Sequence, residues 1–158
     1  MNDIATDEGW LYLAGVKDLF SGELVGYALD KRMTQDLVMQ VLFRAVGTRR
    51  PSKGLIHHSD RGSQYCSLTY QKLLRQFGMQ VSMSRKGNCW DNAPMESCRG
   101  PLKTELLHHQ RFATREQVKR EITEYIEIFY NRVRKQARLG SLSPAAFNQK
   151  YHAKMIAA

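Results

Sequence analysis

An α/β fold, with a mixed sheet flanked by helices, is what this sequence predicts, and three observations carry it. Two strand-like runs meet at a tight turn near the start, which implies an antiparallel hairpin. Shorter apolar runs then alternate with stretches of helical periodicity, which implies strands covered by helices. The C-terminal third has helical periodicity and no strand-like run.

The elements follow in order. Residues 10–20 (WLYLAGVKDLF) are apolar and aromatic-rich and read as a buried strand. Ser21-Gly22 is a turn, and residues 23–30 (ELVGYALD) are the returning strand. Thr34 caps a helix with Leu37, Val38, Val41, Leu42 and Ala45 on one face, and Gly47 is expected to end it. Residues 54–58 form a short buried strand with Asp60 just beyond its end. Ser67 caps the next helix, which presents Tyr70, Leu73, Leu74 and Phe77 and stops at Gly78. Residues 80–84 are another strand. A helix is expected from Asp91 or Asn92, with Pro94 in its first turn, where a missing N–H costs little. Thr114-x-x-Gln117 is a capping box, and the helix after it carries a stripe of Val118, Ile122, Tyr125, Ile126 and Phe129. Ser143-Pro144 opens a last helix toward Tyr151. No linker divides the chain, so residues 1–158 are expected to form one domain.

Composition narrows the partner. The chain of 158 residues is 42% hydrophobic, as in globular proteins, and carries a net charge of +9. Residues 1–80 hold 10 basic and 8 acidic side chains, a net of +2; residues 81–158 hold 14 and 7, a net of +7. Such a balance suits a polyanion, nucleic acid first, gripped by the C-terminal half. Cys66, Cys89 and Cys98 are odd in number and lack CxxC spacing, which suits a reducing compartment. No run is apolar and long enough for a membrane helix or signal peptide. A cytoplasmic protein is expected, with no membrane partner.

Two dense motifs carry the chemistry. The first is His57-His58-Ser59-Asp60-Arg61-Gly62-Ser63-Gln64-Tyr65. The second runs from Asn88 through Trp90, Asp91, Asn92 and Pro94 to Glu96, and is followed by Leu102-Lys103-Thr104-Glu105. Thirty-five residues separate Asp60 from Glu96. Either acid alone could be an ordinary turn or first-turn residue, but the joint pattern resembles the integrase core of bacterial insertion-sequence transposases, relatives of retroviral integrases. Phe129-Tyr130-Asn131-Arg132 and the block from Leu139 to Phe147 extend the resemblance to nearly the whole chain. One departure is Lys135-Gln136 after Arg134, where the family has a histidine.

The resemblance implies a ribonuclease-H-like fold and a DNA transposase that cleaves and joins strands. It implies three carboxylates holding two divalent ions, Mg2+ or Mn2+. Asp60 and Glu96 would be two of them. Two such ions, about 3.5–4 Å apart, activate the attacking oxygen and stabilise the leaving one, and Mg2+ favours hard oxygen donors. The implied partners are element-end and target DNA, with a homo-oligomer assembled on it. Arg99 and Lys103 share a helix face with Glu96 and are candidate phosphate contacts. Arg85 and Lys86, with Trp90 nearby, are candidates for DNA backbone and base.

The first carboxylate is the open question. Family members read Trp-x-x-Asp-Ile-Thr-Tyr-Ile on the first strand, about ten residues before the Gly-Trp that opens the second. Here Asp3 lies seven residues before Trp10. Either about three residues are lost after Asp3-Ile4, or Asp3 stands where the family has an ordinary residue. The first strand is therefore expected to be truncated or missing, leaving an open edge or an unfilled place in the sheet. Asp18 is a second candidate, although its Asp-Leu-Phe-Ser setting is that of a turn. The alternative to an active enzyme is a catalytically inactive DNA-binding fragment of a decayed transposase. A zinc cluster of His57, His58 and Cys66 matches no standard spacing; His58 could serve the site as an accessory.

Overall fold

The computed structural model describes residues 2–85 and 93–157. The elements are strands β1 (Asn2–Ile4), β2 (Leu11–Lys17) and β3 (Leu24–Asp30), helix α1 (Gln35–Arg49), strand β4 (Ile56–Ser59), helices α2 (Ser63–Cys66) and α3 (Leu68–Gln76), strand β5 (Gln80–Met83), and helices α4 (Ala93–Glu105), α5 (Arg115–Glu124) and α6 (Pro144–Ala157). Helix α5 continues without a break into a wider π-helical stretch, Tyr125–Val133.

β2 is the central strand. It pairs antiparallel with β1 on one edge (Asn2 opposite Leu13, Ile4 opposite Leu11) and with β3 on the other. Its two faces bury different cores. Leu11 and Leu13 join Cys98 and Leu102 of α4 and Val118, Ile122 and Ile126 of the C-terminal helix. Ala14 joins Leu37, Val38, Val41 and Leu42 of α1 and Tyr70 and Leu74 of α3, with Tyr12 and Val16 packed against them. This is the period of two expected of a strand covered on both sides. β3 and α1 approach closely at Gly26, where an added Cβ would lie 2.5 Å from the Val41 carbonyl oxygen. A glycine is required there on space alone.

β4 and β5 pair in parallel as a separate two-stranded sheet. β1 is three residues long, and among the described residues β2 has no partner on that edge beyond Leu13.

Several boundaries differ from expectation. α1 runs past Gly47 and ends at Arg50, which adopts the left-handed conformation and donates its N–H to Val46 O. Tertiary packing of Val41, Leu42 and Ala45 outweighs the small helix cost of one exposed glycine. β2 ends at Lys17, because Asp18 closes a turn: Oδ1 accepts from Phe20 N and Oδ2 from Ser21 Oγ. α2 was not anticipated. The expected helix start at Asp91 or Asn92 lies outside the described residues. The caps hold as read, with Thr34, Ser67 and Thr114 side chains accepting from Leu37, Tyr70 and Gln117 N–H groups.

The C-terminal stripe is corrected. Phe129 was expected in the core, yet it is 40% exposed while Tyr130 is 1% exposed. The reason is the widened helix: Arg134 N–H donates to Phe129 O, five residues back. A π turn adds roughly one residue per turn, so the buried stripe slips forward by one position. Tyr130→Ala is expected to cost about 3–5 kcal/mol of stability, as for a large buried aromatic. Phe129→Ala should cost much less. Chemical denaturation of both variants checks the order.

His57 gives a pH signature. It is buried, its Nε2 lies 3.1 Å from Tyr70 Oη, and burial pulls its pKa down to about 4, with His58 adding to the shift. The folded pKa lies below the ordinary value of 6.5, so the unfolded chain binds the extra proton first. Stability from this residue is complete above about pH 6.5 and falls as pH drops toward 4, by up to roughly 3 kcal/mol. Unfolding free energy measured between pH 7 and 4 should fall less steeply in His57→Gln than in the parent.

Candidate active site

Asp60 stands just beyond the C-terminal end of β4. Its carboxylate is oriented by its own loop, with Oδ1 accepting Gly62 N–H at 2.9 Å. Gly62 cannot carry a side chain cheaply, because a Cβ would lie 3.0 Å from Asp60 Oδ1. The loop is tied to the end of β5: Ser84 N–H donates to Ser59 O, and Arg61 Nε donates to Ser84 O at 2.8 Å.

Glu96 comes from the first turn of α4. Its side is exposed, and the macrodipole there favours the ionised carboxylate. The opposite side of the helix buries Cys98 and Leu102 against β2. Lys17 makes a second tie, donating from Nζ to Pro94 O and Ser97 Oγ, each at 3.0 Å. Partial burial lowers the Lys17 pKa, and burial raises that of the Cys98 thiol. The helix runs on through Pro101.

Asp60 and Glu96 line one cavity of about 120 Å³, together with Asn2, Gly15, Tyr65 and Arg99. The two acids on which the sequence reading rested are thus brought together from elements far apart in the chain. Arg99 reaches into the same cavity, where its Nε donates to Asn2 Oδ1 at 2.6 Å. Tyr65 is pushed up to about 12, by burial first and then by the Asp60 charge, so its hydroxyl stays protonated.

Asp3 is not brought there. It is exposed and lines a different cavity with Asp7, Trp10, Lys103, His108 and Arg111. Strand alternation explains the split: Asn2 and Ile4 are buried on the α4 side, and Asp3 between them is not. Lys103, two turns along α4 from Glu96, lines this second cavity with Asp3 and is not among the residues lining the Asp60–Glu96 cavity. Asp18 belongs to its turn, and His58 pairs through Nδ1 with Ser82 Oγ at 2.9 Å. Arg85 is exposed just past Ser84. Lys86 and Trp90 lie outside the described residues. Among the described residues no three His, Cys, Asp or Glu side chains are placed to hold one ion.

The sequence reading missed Asn2, Tyr65 and Lys17. The alternation of β1 could have put Asn2 on the site face. Nothing local in the sequence announces that Lys17 reaches across 77 residues to α4.

The described geometry can be set beside known proteins. The family described as Integrase core domain matches residues 3–89 and again residues 96–151. A Shigella sonnei protein, the uncharacterized 31 kDa protein of insertion element IS600, is 58% identical over 94% of this chain and 55% of its own length. The transposase for insertion sequence element IS904 of Lactococcus lactis is 47% identical, over 96% and 60%. Transposase InsF for IS3A of Escherichia coli is 44% identical, over 93% and 51%. The chain thus spans about half the length of these relatives. Among solved structures, the HTLV-2 integrase catalytic core domain in complex with magnesium superposes with a TM-score of 0.67 at 14% identity, covering 92% of this chain and 90% of that one. The BIV integrase catalytic core domain gives 0.61 at 18%, covering 98% and 95%. The fold is that of retroviral integrase catalytic cores, ribonuclease-H-like, and the chain belongs to the integrase core domain family.

Proposed function

We propose that this chain is the catalytic core of an insertion-sequence transposase, acting in metal-dependent DNA strand cleavage and strand transfer. The observation that carries this reading is the shared cavity of Asp60 and Glu96. Two of the relatives named above are called transposases of insertion sequences. Residues 1–158 would act as one domain, the core with its C-terminal helical extension.

Asp60 and Glu96 would hold a divalent ion, Mg2+ or Mn2+. The fit rests on donor chemistry: two carboxylates, one of them already oriented by Gly62 N–H, are hard oxygen ligands. Two such ions, when bound, would supply activation of an oxygen nucleophile and stabilisation of the leaving oxygen. Arg99 places a cation in the same cavity, suited to a DNA phosphate once its bond to Asn2 is exchanged. Lys103 and Arg85 extend the positive surface along α4 and past β5, and Lys86 would join them. DNA is the partner this charge selects, element ends and target alike. Several copies of the chain would assemble on the DNA.

Asp3 as third acid would need to leave the Lys103 cavity. The second reading is a catalytically inactive DNA-binding fragment of a decayed transposase, and the observation that raises it is that Asn2, not Asp3, lines the cavity of Asp60 and Glu96. One pair of proteins separates them. The chain as it stands is expected to show little or no strand transfer with Mg2+ on element-end DNA. A chain carrying Trp-x-x-Asp-Ile-Thr-Tyr-Ile ahead of Ala5 should gain activity and bind Mn2+ more tightly by calorimetry. Glu96→Gln in that chain should abolish both gains. Full activity of the unextended chain that is lost in Asp3→Asn would make Asp3 the first acid.

DNA affinity supplies a further check. Binding should fall steeply with salt and depend little on sequence, since phosphate contacts dominate. Lys103→Ala should weaken binding and reduce the slope of log K against log salt by about one. An unchanged slope in a titration from low to moderate salt removes Lys103 from the interface.

A further inference from the structure

We propose, resting on the reading of the chain as a DNA transposase core, that the cavity between β1 and the end of α4 is a subsite for one unpaired base of a DNA strand. Trp10 stacks on the base, Asp3 accepts from its amino group, and Lys103 holds the adjoining phosphate. The cavity measures about 460 Å³, within the range of roughly 300–1,000 Å³ usual for small-ligand sites. Its floor is apolar: Ile4 and Phe112 belong to the core, and Leu107 packs against it. Trp10, just ahead of β2, stands in the wall and is 52% exposed. An indole half uncovered above an apolar floor offers a planar face, which is what base stacking uses.

The wall that carries Trp10 is fixed in place before any ligand arrives. Thr6 and Gly9 exchange backbone hydrogen bonds, and Asp7 N–H donates to Phe112 O at 3.0 Å. Arg115 holds the other end: its N–H donates to Glu8 Oε2 at 2.8 Å and its Nε to Trp10 O at 3.1 Å. Gly9 has φ +108, and a Cβ there would lie 2.8 Å from Arg115 Nη2, so the turn closes tightly on that arginine. The backbone of Trp10 is thereby set, and little ordering remains to be done on binding.

Charge identifies the ligand. Arg111 Nε pairs with Asp7 Oδ1 at 2.8 Å, so these two rim charges offset each other. Asp3 and Lys103 remain, and among the described residues neither is in an ion pair. A free phosphate would meet carboxylates on the rim. A nucleotide of a DNA strand satisfies both groups: a carboxylate accepts from the amino group of a base such as cytosine, and a lysine takes the phosphate. A base inside a duplex has its faces and edge covered, so the base bound here is out of the stack. The position suits a strand that also reaches the acids. β1 divides the two cavities, with Asn2 lining one and Asp3 the other, and Lys103 lies seven residues past Glu96, about 10 Å along α4.

Binding tests this without any need for turnover. The probes are short single strands of deoxycytidine and of thymidine, a mixed-sequence duplex, and deoxycytidine monophosphate. Emission of Trp10 is read in the Trp90→Phe protein, where Trp10 is the single tryptophan. The deoxycytidine strand should quench it, the thymidine strand more weakly, and the duplex hardly at all. Trp10→Ala should weaken single-strand binding by about tenfold while duplex affinity stays within about twofold. Trp10→Phe, which keeps a ring to stack on, should restore most of the loss. Asp3→Ala should keep the quenching and abolish the preference for deoxycytidine. Duplex binding without quenching by either single strand overturns the subsite and leaves the transposase-core reading standing. Binding of no DNA at all overturns both. Equal quenching by the duplex, or the monophosphate binding as tightly as the deoxycytidine strand, also overturns the subsite.

Discussion

Burial of β2 on both faces is the constraint on which the rest of the molecule depends. Its odd-numbered residues Leu11 and Leu13 hold α4 and the C-terminal helix; its even-numbered Ala14, with Tyr12 and Val16, holds α1 and α3. Two helical layers that do not share a core with each other are thereby tied to one strand. Each fully buried leucine contributes about 2–3 kcal/mol by transfer alone. The strand also sets the site: α4 owes its placement to Cys98 and Leu102 on β2's face, and to Lys17 at its end.

The two acids are positioned by different physics. Asp60 is held by backbone geometry, in a loop whose Gly62 N–H orients the carboxylate and whose Arg61 and Ser59 bind β5's end. Glu96 is held by packing, since the helix that carries it is anchored by its buried side and leaves the acid exposed. Placement by a loop is local, so the His57–Tyr65 motif was readable from consecutive residues. Placement by packing is not, and only resemblance linked Glu96 to Asp60 before the structure did.

What was legible in the sequence was periodicity and capping. The hairpin, the α1 face and the caps at Thr34, Ser67 and Thr114 all express local chemistry. What was not legible depended on distant partners. Phe129 fits a 3.6-residue stripe, and nothing in its neighbourhood predicts the π widening that turns it outward and Tyr130 inward. The extent of α1 past Gly47 was decided by packing on β3, where Gly26 lets the two backbones meet. Asn2 and Asp3 are adjacent in sequence, yet a single step along β1 sends one into the acidic cavity and the other to Lys103.

That step separates β1 from the other two elements that line the cavity. β4 has a full parallel partner in β5, and α4 has a buried face; each would hold its acid without the other. β1 contributes three residues and the shortest ladder in its sheet. Its inward residue at the cavity is a neutral amide, and that amide accepts from Arg99, which lines the cavity with the two acids. An arginine in a cavity with two carboxylates lowers their mutual repulsion and so steadies them while no other cation is present. The same charge opposes entry of a divalent ion. A carboxylate in place of the amide would bind Arg99 more firmly while offsetting its charge. The charge of the β1 residue opposite Leu13 therefore sets how firmly Arg99 is held in this cavity.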